Sequence, residues 1–221
     1  MNQLDAVLFD LDGTLIDTAP DFVRTLNLML EEKNKAPLPA SAIRQQVSNG
    51  ARAMVELGFG LKEGEPGFKE LWQQFLDMYY DRLAVDTQVF PGLNSLLEQL
   101  EAKQVPWGIV TNKPSRFTIP LLEQLALSER CAVAICPDDV THRKPHPEPI
   151  YKACSAINAD PSNTIYIGDH VRDIESGKNA GNVTIAVSWG YIPQDQDPLD
   201  WNADHTLDSP QALEKLVLSF C

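Results

Sequence analysis

Between residues 90 and 221, short apolar runs alternate with helix-length amphipathic stretches, and this alternation limits the fold more than any other feature. The runs are Trp107–Thr111, Ala132–Cys136, Thr164–Gly168 and Val183–Val187, with Ala6–Phe9 as an earlier member of the same kind. Each is too short for a buried helix and too uniformly apolar for a strand with one wet face, so each predicts a strand covered on both sides. Helical periodicity fills about 93–103, 115–126, 148–157 and 172–180 between them, and 210–219 closes the chain. Strand, helix, strand in that rhythm implies right-handed crossovers and a parallel sheet. The fold class expected is α/β, a Rossmann-like parallel sheet core.

Residues 18–85 break the rhythm. The spacing predicts helices over 18–33, 41–48, 51–58 and 68–83, with Phe22, Leu26, Met29 and Leu30 sharing one face and Leu71, Phe75, Met78 and Tyr79 another. Thr18 is the expected N-cap of the first, with Pro20 in its first turn, and Ser41 the expected cap of the second. The organisation read from this is a core of residues 1–16 and 87–221 with a helical segment, 17–86, inserted after the first strand. Such an insert hangs over the carboxyl ends of the strands, where open α/β sheets bind ligands.

Charge narrows the partners. With 18 Lys and Arg against 31 Asp and Glu, the net charge is −13, which argues against nucleic acid as a partner. The same field repels small anions unless a metal or local basic groups reverse it. No charge-free apolar run approaches the roughly 20 residues of a membrane span, and the N-terminus lacks a basic n-region. The four cysteines have no C-x-x-C spacing and predict reduced thiols. A cytoplasmic chain, monomeric or weakly dimeric, with no membrane partner is the expectation.

Polar residues stand where the runs end. Asp10-Leu-Asp12-Gly13-Thr14 puts two carboxylates at i and i+2 off a strand. Thr111-Asn112-Lys113-Pro114 offers hydroxyl and amide donors, and Gly168-Asp169 is followed by Asp173 one helical turn later. Lys144 lies in a Pro-stiffened loop, Lys144-Pro-His-Pro147. Any one Asp here reads as a turn or cap residue, and Lys144 alone as a surface side chain. Four such strand ends in chain order do not arise from turn chemistry. Several carboxylates meeting in one pocket call for a divalent cation, and an all-oxygen set selects Mg²⁺ over zinc.

These residues resemble the four motifs of the haloacid dehalogenase superfamily of phosphatases: Asp10-x-Asp12-Gly-Thr, Thr111-Asn112, Lys144-Pro and Gly168-Asp169-x₃-Asp173. The insert is similar to the helical cap which that superfamily places between its first two motifs. Val110-Thr-Asn-Lys-Pro114 and the Lys144 loop resemble phosphoglycolate phosphatases. Narrower still, Gly50-Ala-Arg-Ala-Met54, Ile135-Cys-Pro-Asp138, Asp173-Ile-Glu-Ser-Gly177 and Gly190-Tyr-Ile192 resemble the N-acetylmuramic acid 6-phosphate phosphatases of Gram-negative bacteria. The resemblance implies Asp10 as nucleophile, Asp12 as acid and base, and Mg²⁺ held by Asp10, the Asp12 carbonyl and Asp169. It implies Asp173 in support of the metal water or Lys144, and Thr111, Asn112 and Lys144 on the phosphoryl oxygens of a small phosphorylated metabolite. His170 departs from the small hydroxyl residue of many relatives, and the sequence offers no account of it.

Other readings compete. A hexose-phosphate mutase also needs Asp10 and Asp12 but returns the phosphoryl group to sugar. A dehalogenase has no use for Asp12, and a silent binding module would not need every motif residue. Selectivity is expected from the Ser48–Arg52 turn, where Gly50 permits a tight loop and Arg52 can meet a substrate carboxylate. His142, His146 and His205 read as surface loop residues, and Trp72, Tyr79 and Tyr80 as packing within the insert.

Overall fold

The computed structural model describes residues 4–221. The first strand, β1 (Ala6–Phe9), is wholly buried, as four consecutive apolar residues with no polar face require. It lies at the centre of a parallel sheet with β4 (Trp107–Val110), β5 (Val133–Ile135), β6 (Thr164–Gly168), β7 (Val183–Val187) and β8 (His205–Leu207). The order across the sheet is β5-β4-β1-β6-β7-β8. Chain direction reverses its lateral progress at β1, so the crevice beyond the carboxyl ends of β1, β4 and β6 is the topological switch point. Helices α5 (Leu93–Ala102), α6 (Ser115–Gln124), α7 (Glu148–Ala156), α8 (Val171–Ala180) and α9 (Pro210–Leu218) cover the faces. The edge strand β8 was not legible in the sequence, because three half-buried residues give no run to read.

Between β1 and β4 the chain leaves and returns through a two-stranded ribbon, β2 (Ile16–Asp17) against β3 (Gln88–Val89), antiparallel with Ile16 opposite Val89. The elements between are all helical: α1 (Ala19–Glu32), α2 (Ala40–Arg44), a 3₁₀ turn over Val47–Asn49, α3 (Gly50–Phe59) and α4 (Phe68–Tyr80). The expected helix over 41–48 is thus a short helix and a separate turn. Phe22, Phe75 and Tyr79 form its aromatic centre, with Phe22 and Tyr79 centroids 4.5 Å apart. Asp21, fully buried on α1, accepts from the Asp86 and Thr87 amides and the Thr87 hydroxyl, which fastens the two ends of the insert together.

Thr18 is the N-cap residue of α1 as expected, but its side chain makes no capping bond, and the expected Ser41 cap of α2 is not formed. Pro39 precedes α2, and Ser41 lies inside it. The α1 amides are capped from the core: the Tyr191 hydroxyl accepts from Thr18 N at 2.6 Å and Ala19 N at 2.9 Å and donates to Asp17 Oδ1. Thr18 is thereby released from capping. No helix among the described residues is long and apolar enough to cross a membrane, and all four cysteines are free.

Candidate active site

Asp10 follows directly on β1, where its amide completes the ladder to Ile167 and its side chain points out of the sheet's carboxyl edge. Lys144 Nζ donates to Asp10 Oδ1 at 2.8 Å, to the Val110 carbonyl at 2.9 Å and to the Tyr166 hydroxyl at 2.9 Å. The ammonium also lies 2.7 Å from Asp173 Oδ1, so four acceptors surround its three protons. The residue read alone as a surface lysine is 2 % exposed. Burial works against its charge, but Asp10 and Asp173 together hold the ammonium above its ordinary value.

Asp169, at the end of β6, is held in a cradle. Its Oδ1 accepts from the Thr14 hydroxyl at 3.0 Å and its Oδ2 from the Tyr191 amide at 2.8 Å. A side chain at Gly13 (φ +87°) or at Gly190 would overlap this carboxylate, so both positions need glycine. Asp10, Asp169 and Asp173 are all buried and offer oxygens within 4.8 Å of one another, a cluster that can hold a metal ion. Burial, with Asp10 and Asp173 beside it, pushes the Asp169 carboxyl up to about 8. Burial also raises Asp10, against the pull of Lys144. Asp173 Oδ1 is buried with no donor near it but the Lys144 ammonium, which it shares with three other acceptors. Three clustered carboxylates facing one bonded ammonium leave a demand for positive charge that a cation fits.

Asp12 stands apart from that cluster. Its Oδ1 accepts from the Thr18 hydroxyl at 2.6 Å and from Lys113 Nζ at 2.9 Å. Lys113 Nζ also donates to the Tyr79 hydroxyl at 3.0 Å, from the insert. At the end of β4, Thr111 Oγ1 accepts from the Lys113 amide, which leaves the hydroxyl proton free for the cavity that Thr111 lines. Asn112 donates its side-chain amide to the Lys144 carbonyl at 3.2 Å and so supports the lysine loop.

His170 is explained by helix chemistry. It is the N-cap of α8: its Nδ1 accepts from the Arg172 amide at 3.2 Å while the Asp173 carboxylate accepts from the His170 amide. Burial and the neighbouring Arg172 cation push its imidazole down to about 4, as an acceptor nitrogen requires.

A cavity of about 570 Å³ lies between these strand ends and the insert. The core supplies Asp10, Asp12, Thr111, Asn112, Lys144 and Arg172, and the insert supplies the 47–52 turn with Trp72, Phe75, Leu76 and Tyr79. Six cationic residues, Arg52, Lys113, Arg116, Arg143, Lys144 and Arg172, line it against two carboxylates, so the local field opposes the chain's −13. Arg52 reaches this cavity with its guanidinium 5.4 Å from the Trp72 ring centroid and its Nε 3.2 Å from Glu63. Trp72 and Tyr79 are therefore cavity wall as well as insert packing, and Tyr80 is 46 % exposed instead of core. His142 and His146 are exposed as expected, whereas His205 is half-buried in β8.

The sequence matches the family of haloacid dehalogenase-like hydrolases over residues 7–187. The chain belongs to that family. It is 45 % identical over 215 residues to the N-acetylmuramic acid 6-phosphate phosphatase of Pseudomonas putida, across 97 % of this chain and 96 % of that one. It is 40 % identical to the phosphoglycolate phosphatase of Xanthomonas campestris, across 94 % of each. Among solved structures, a predicted phosphoglycolate phosphatase from Haemophilus somnus superposes with a TM-score of 0.86 at 24 % identity, covering 98 % and 99 %. The chain is a phosphatase of the haloacid dehalogenase-like family.

Three residues of this phosphatase's site were passed over by motif reading. Lys113 and Tyr191 lie inside motifs, Val110–Pro114 and Gly190–Ile192, that assign them no role, and Arg172 reads as an ordinary helix residue. Arg172 donates to the Ser48 carbonyl at 2.8 Å, core to insert. For Lys113 the usable signal is its place at a strand end beside Thr111 and Asn112, and for Tyr191 it is the Gly190-Tyr-Ile192 motif that follows the Val183–Val187 run.

Proposed function

We propose that the chain hydrolyses N-acetylmuramic acid 6-phosphate to the free sugar acid and phosphate. The cavity carries the choice. At about 570 Å³ it falls within the ~300–1,000 Å³ of sites that enclose drug-sized ligands, and its far wall is aromatic. A two-carbon phosphate such as 2-phosphoglycolate would touch little of Trp72, Phe75 and Leu76. A pyranose ring offers apolar C–H faces to Trp72, and its lactyl carboxylate suits an arginine. Arg52, beside Trp72, is the residue assigned to that carboxylate.

In this reading residues 17–86 are a cap that selects the substrate, and 1–16 with 87–221 perform the chemistry. The Asp10 carboxylate attacks phosphorus, and the ester P–O bond breaks to leave an aspartyl-phosphate. Asp12 gives a proton to the departing sugar oxygen and then takes one from the water that cleaves the aspartyl-phosphate. Thr111 and the Asn112 backbone N–H hold phosphoryl oxygens, and Lys144 adds positive charge where negative charge grows. Mg²⁺, held by Asp10, the Asp12 carbonyl and Asp169, would supply charge neutralisation between the nucleophile and the phosphoryl group. Asp173 fixes Lys144 by its charge and the α8 start by its hydrogen bond.

Phosphate release from N-acetylmuramic acid 6-phosphate and 2-phosphoglycolate, each with Mg²⁺, tests the assignment. A kcat/KM at least about tenfold higher for the sugar phosphate is expected, and preference for phosphoglycolate would overturn it. Transfer of label to a second sugar without net phosphate release would identify a mutase instead.

A further inference from the structure

We infer that Lys113 is a positioning residue for proton transfer by Asp12, and that the helical insert holds it in that role. The inference rests on the reading of Asp12 as the carboxylate that moves the proton.

Both donors that reach Asp12 aim at one oxygen. The Thr18 hydroxyl and the Lys113 ammonium lie 2.6 Å and 2.9 Å from Oδ1, and no donor meets Oδ2 among the described residues. Oδ1 is committed to these two donors, which leaves Oδ2 as the oxygen free to exchange a proton with the leaving group and with water. As Asp10 bonds to phosphorus and the ester P–O bond breaks, the Oδ2 proton passes to the departing oxygen. The ammonium at Oδ1 then offsets the charge left on Asp12. In the second half the attacking water returns a proton to Oδ2, and its oxygen replaces Asp10 on phosphorus.

The surroundings of Lys113 come from the insert. The residue follows β4 in the core and is only 8 % exposed. Its Nζ is 3.0 Å from the Tyr79 hydroxyl of α4 and 5.3 Å from the Phe22 ring centroid of α1. Thr18, the other donor, begins the same insert. Lifting the insert would strip the ammonium of Tyr79 and Phe22 and admit water. An ion pair that is tight in a dry site is weak once hydrated. Asp12 thus has its oxygens assigned only while the insert is seated, although no insert side chain need touch the reacting atoms.

Lys113→Met and Tyr79→Phe, assayed beside Asp12→Asn and the parent with Mg²⁺, test this by leaving-group dependence. Lys113→Met should slow the first turnover of N-acetylmuramic acid 6-phosphate about a hundredfold. The nitrophenolate burst from p-nitrophenyl phosphate, whose leaving group needs little protonation, should stay within about threefold of the parent. KM should also stay within about threefold, and Tyr79→Phe should show the same pattern at roughly three- to tenfold. Equal slowing on both substrates, or a rise in KM with kcat intact, would overturn the inference. Should Lys113→Met not fold, Tyr79→Phe decides, and absence of leaving-group dependence there overturns it. If Asp12→Asn itself lacks that dependence, the reading of Asp12 has failed first, and the two failures are told apart.

Discussion

The two ends of the cavity are built differently. At the core end Asp10, Lys144, Asp169 and Asp173 are all at most 5 % exposed. Close approach of Gly13 and Gly190 to Asp169 and short polar contacts confine them. At the insert end the Arg52 side chain is 55 % exposed, and its visible partners are an exposed Glu63 and the Trp72 face. Phosphorus chemistry needs reacting groups held within fractions of an ångström, and burial with close polar contacts supplies that. Choosing among organic groups needs only a few kcal/mol of contact, which an adaptable half-wet surface provides. Substitutions at the core end should therefore destroy turnover on every phosphate ester, while those at the insert end should change which ester is preferred.

The sharpest test is at Asp10. Asp10→Asn removes the attacking oxygen's charge without changing volume, and less than about a hundredth of the parent rate should remain on any substrate. Rates on p-nitrophenyl phosphate and the sugar phosphate falling together would agree with this, and selective survival of one would break the comparison. Chelation should act alike. EDTA is expected to silence both activities, Mg²⁺ to restore them, and Ca²⁺ to fail, since its looser coordination misplaces the oxygens. Titration of restored activity against free Mg²⁺ provides the check.

A smaller loss is expected from Gly190→Ala. The added methyl meets the Asp169 carboxylate and must displace it, so the Mg²⁺ concentration for half-maximal activity should rise roughly 10–100-fold. An unchanged requirement would show that Asp169 is not a metal ligand. At the opposite end Arg52→Ala and Trp72→Ala should each raise KM on the sugar phosphate about tenfold, the equivalent of ~1.4 kcal/mol. Both should leave p-nitrophenyl phosphate nearly unaffected. Parallel loss on both substrates would mean that these side chains support the seating of the insert.

The smallest effect concerns neither end. Asp204 accepts from the Thr184 amide at 2.8 Å and its hydroxyl at 2.7 Å, which secures β7 to the segment before β8. Partial burial opposes its charge, but the Thr184 bonds outweigh it and hold the carboxyl below its ordinary value. A depressed acid contributes stability above its unfolded value of about 3.8, lost as pH falls through the lower folded value. Asp204→Ala should lower Tm at pH 7 by a few degrees, with kcat and KM unchanged, and the difference should shrink toward pH 3. A difference that persists undiminished in acid would dissociate the effect from the carboxylate.

Sequence alone determined the class of this protein. Five short apolar runs punctuated by Asp10, Thr111 and Asp169 specified a buried parallel sheet and the edge on which these polar residues meet, because period and punctuation are local properties of a chain. It could place Lys144 in a loop but not inside the core, since nothing adjacent to it in sequence encloses it. Tertiary structure decided the rest. Tyr191, 173 residues from Thr18, takes over the cap of α1, which frees the Thr18 hydroxyl for Asp12. Lys113 gains its meaning from Tyr79 and Phe22 in another part of the chain. Trp72 became cavity wall only when α4 was seated over the strand ends. Hydrogen-bond partners and burial are set by which surfaces meet in space, and spacing along the chain does not record that.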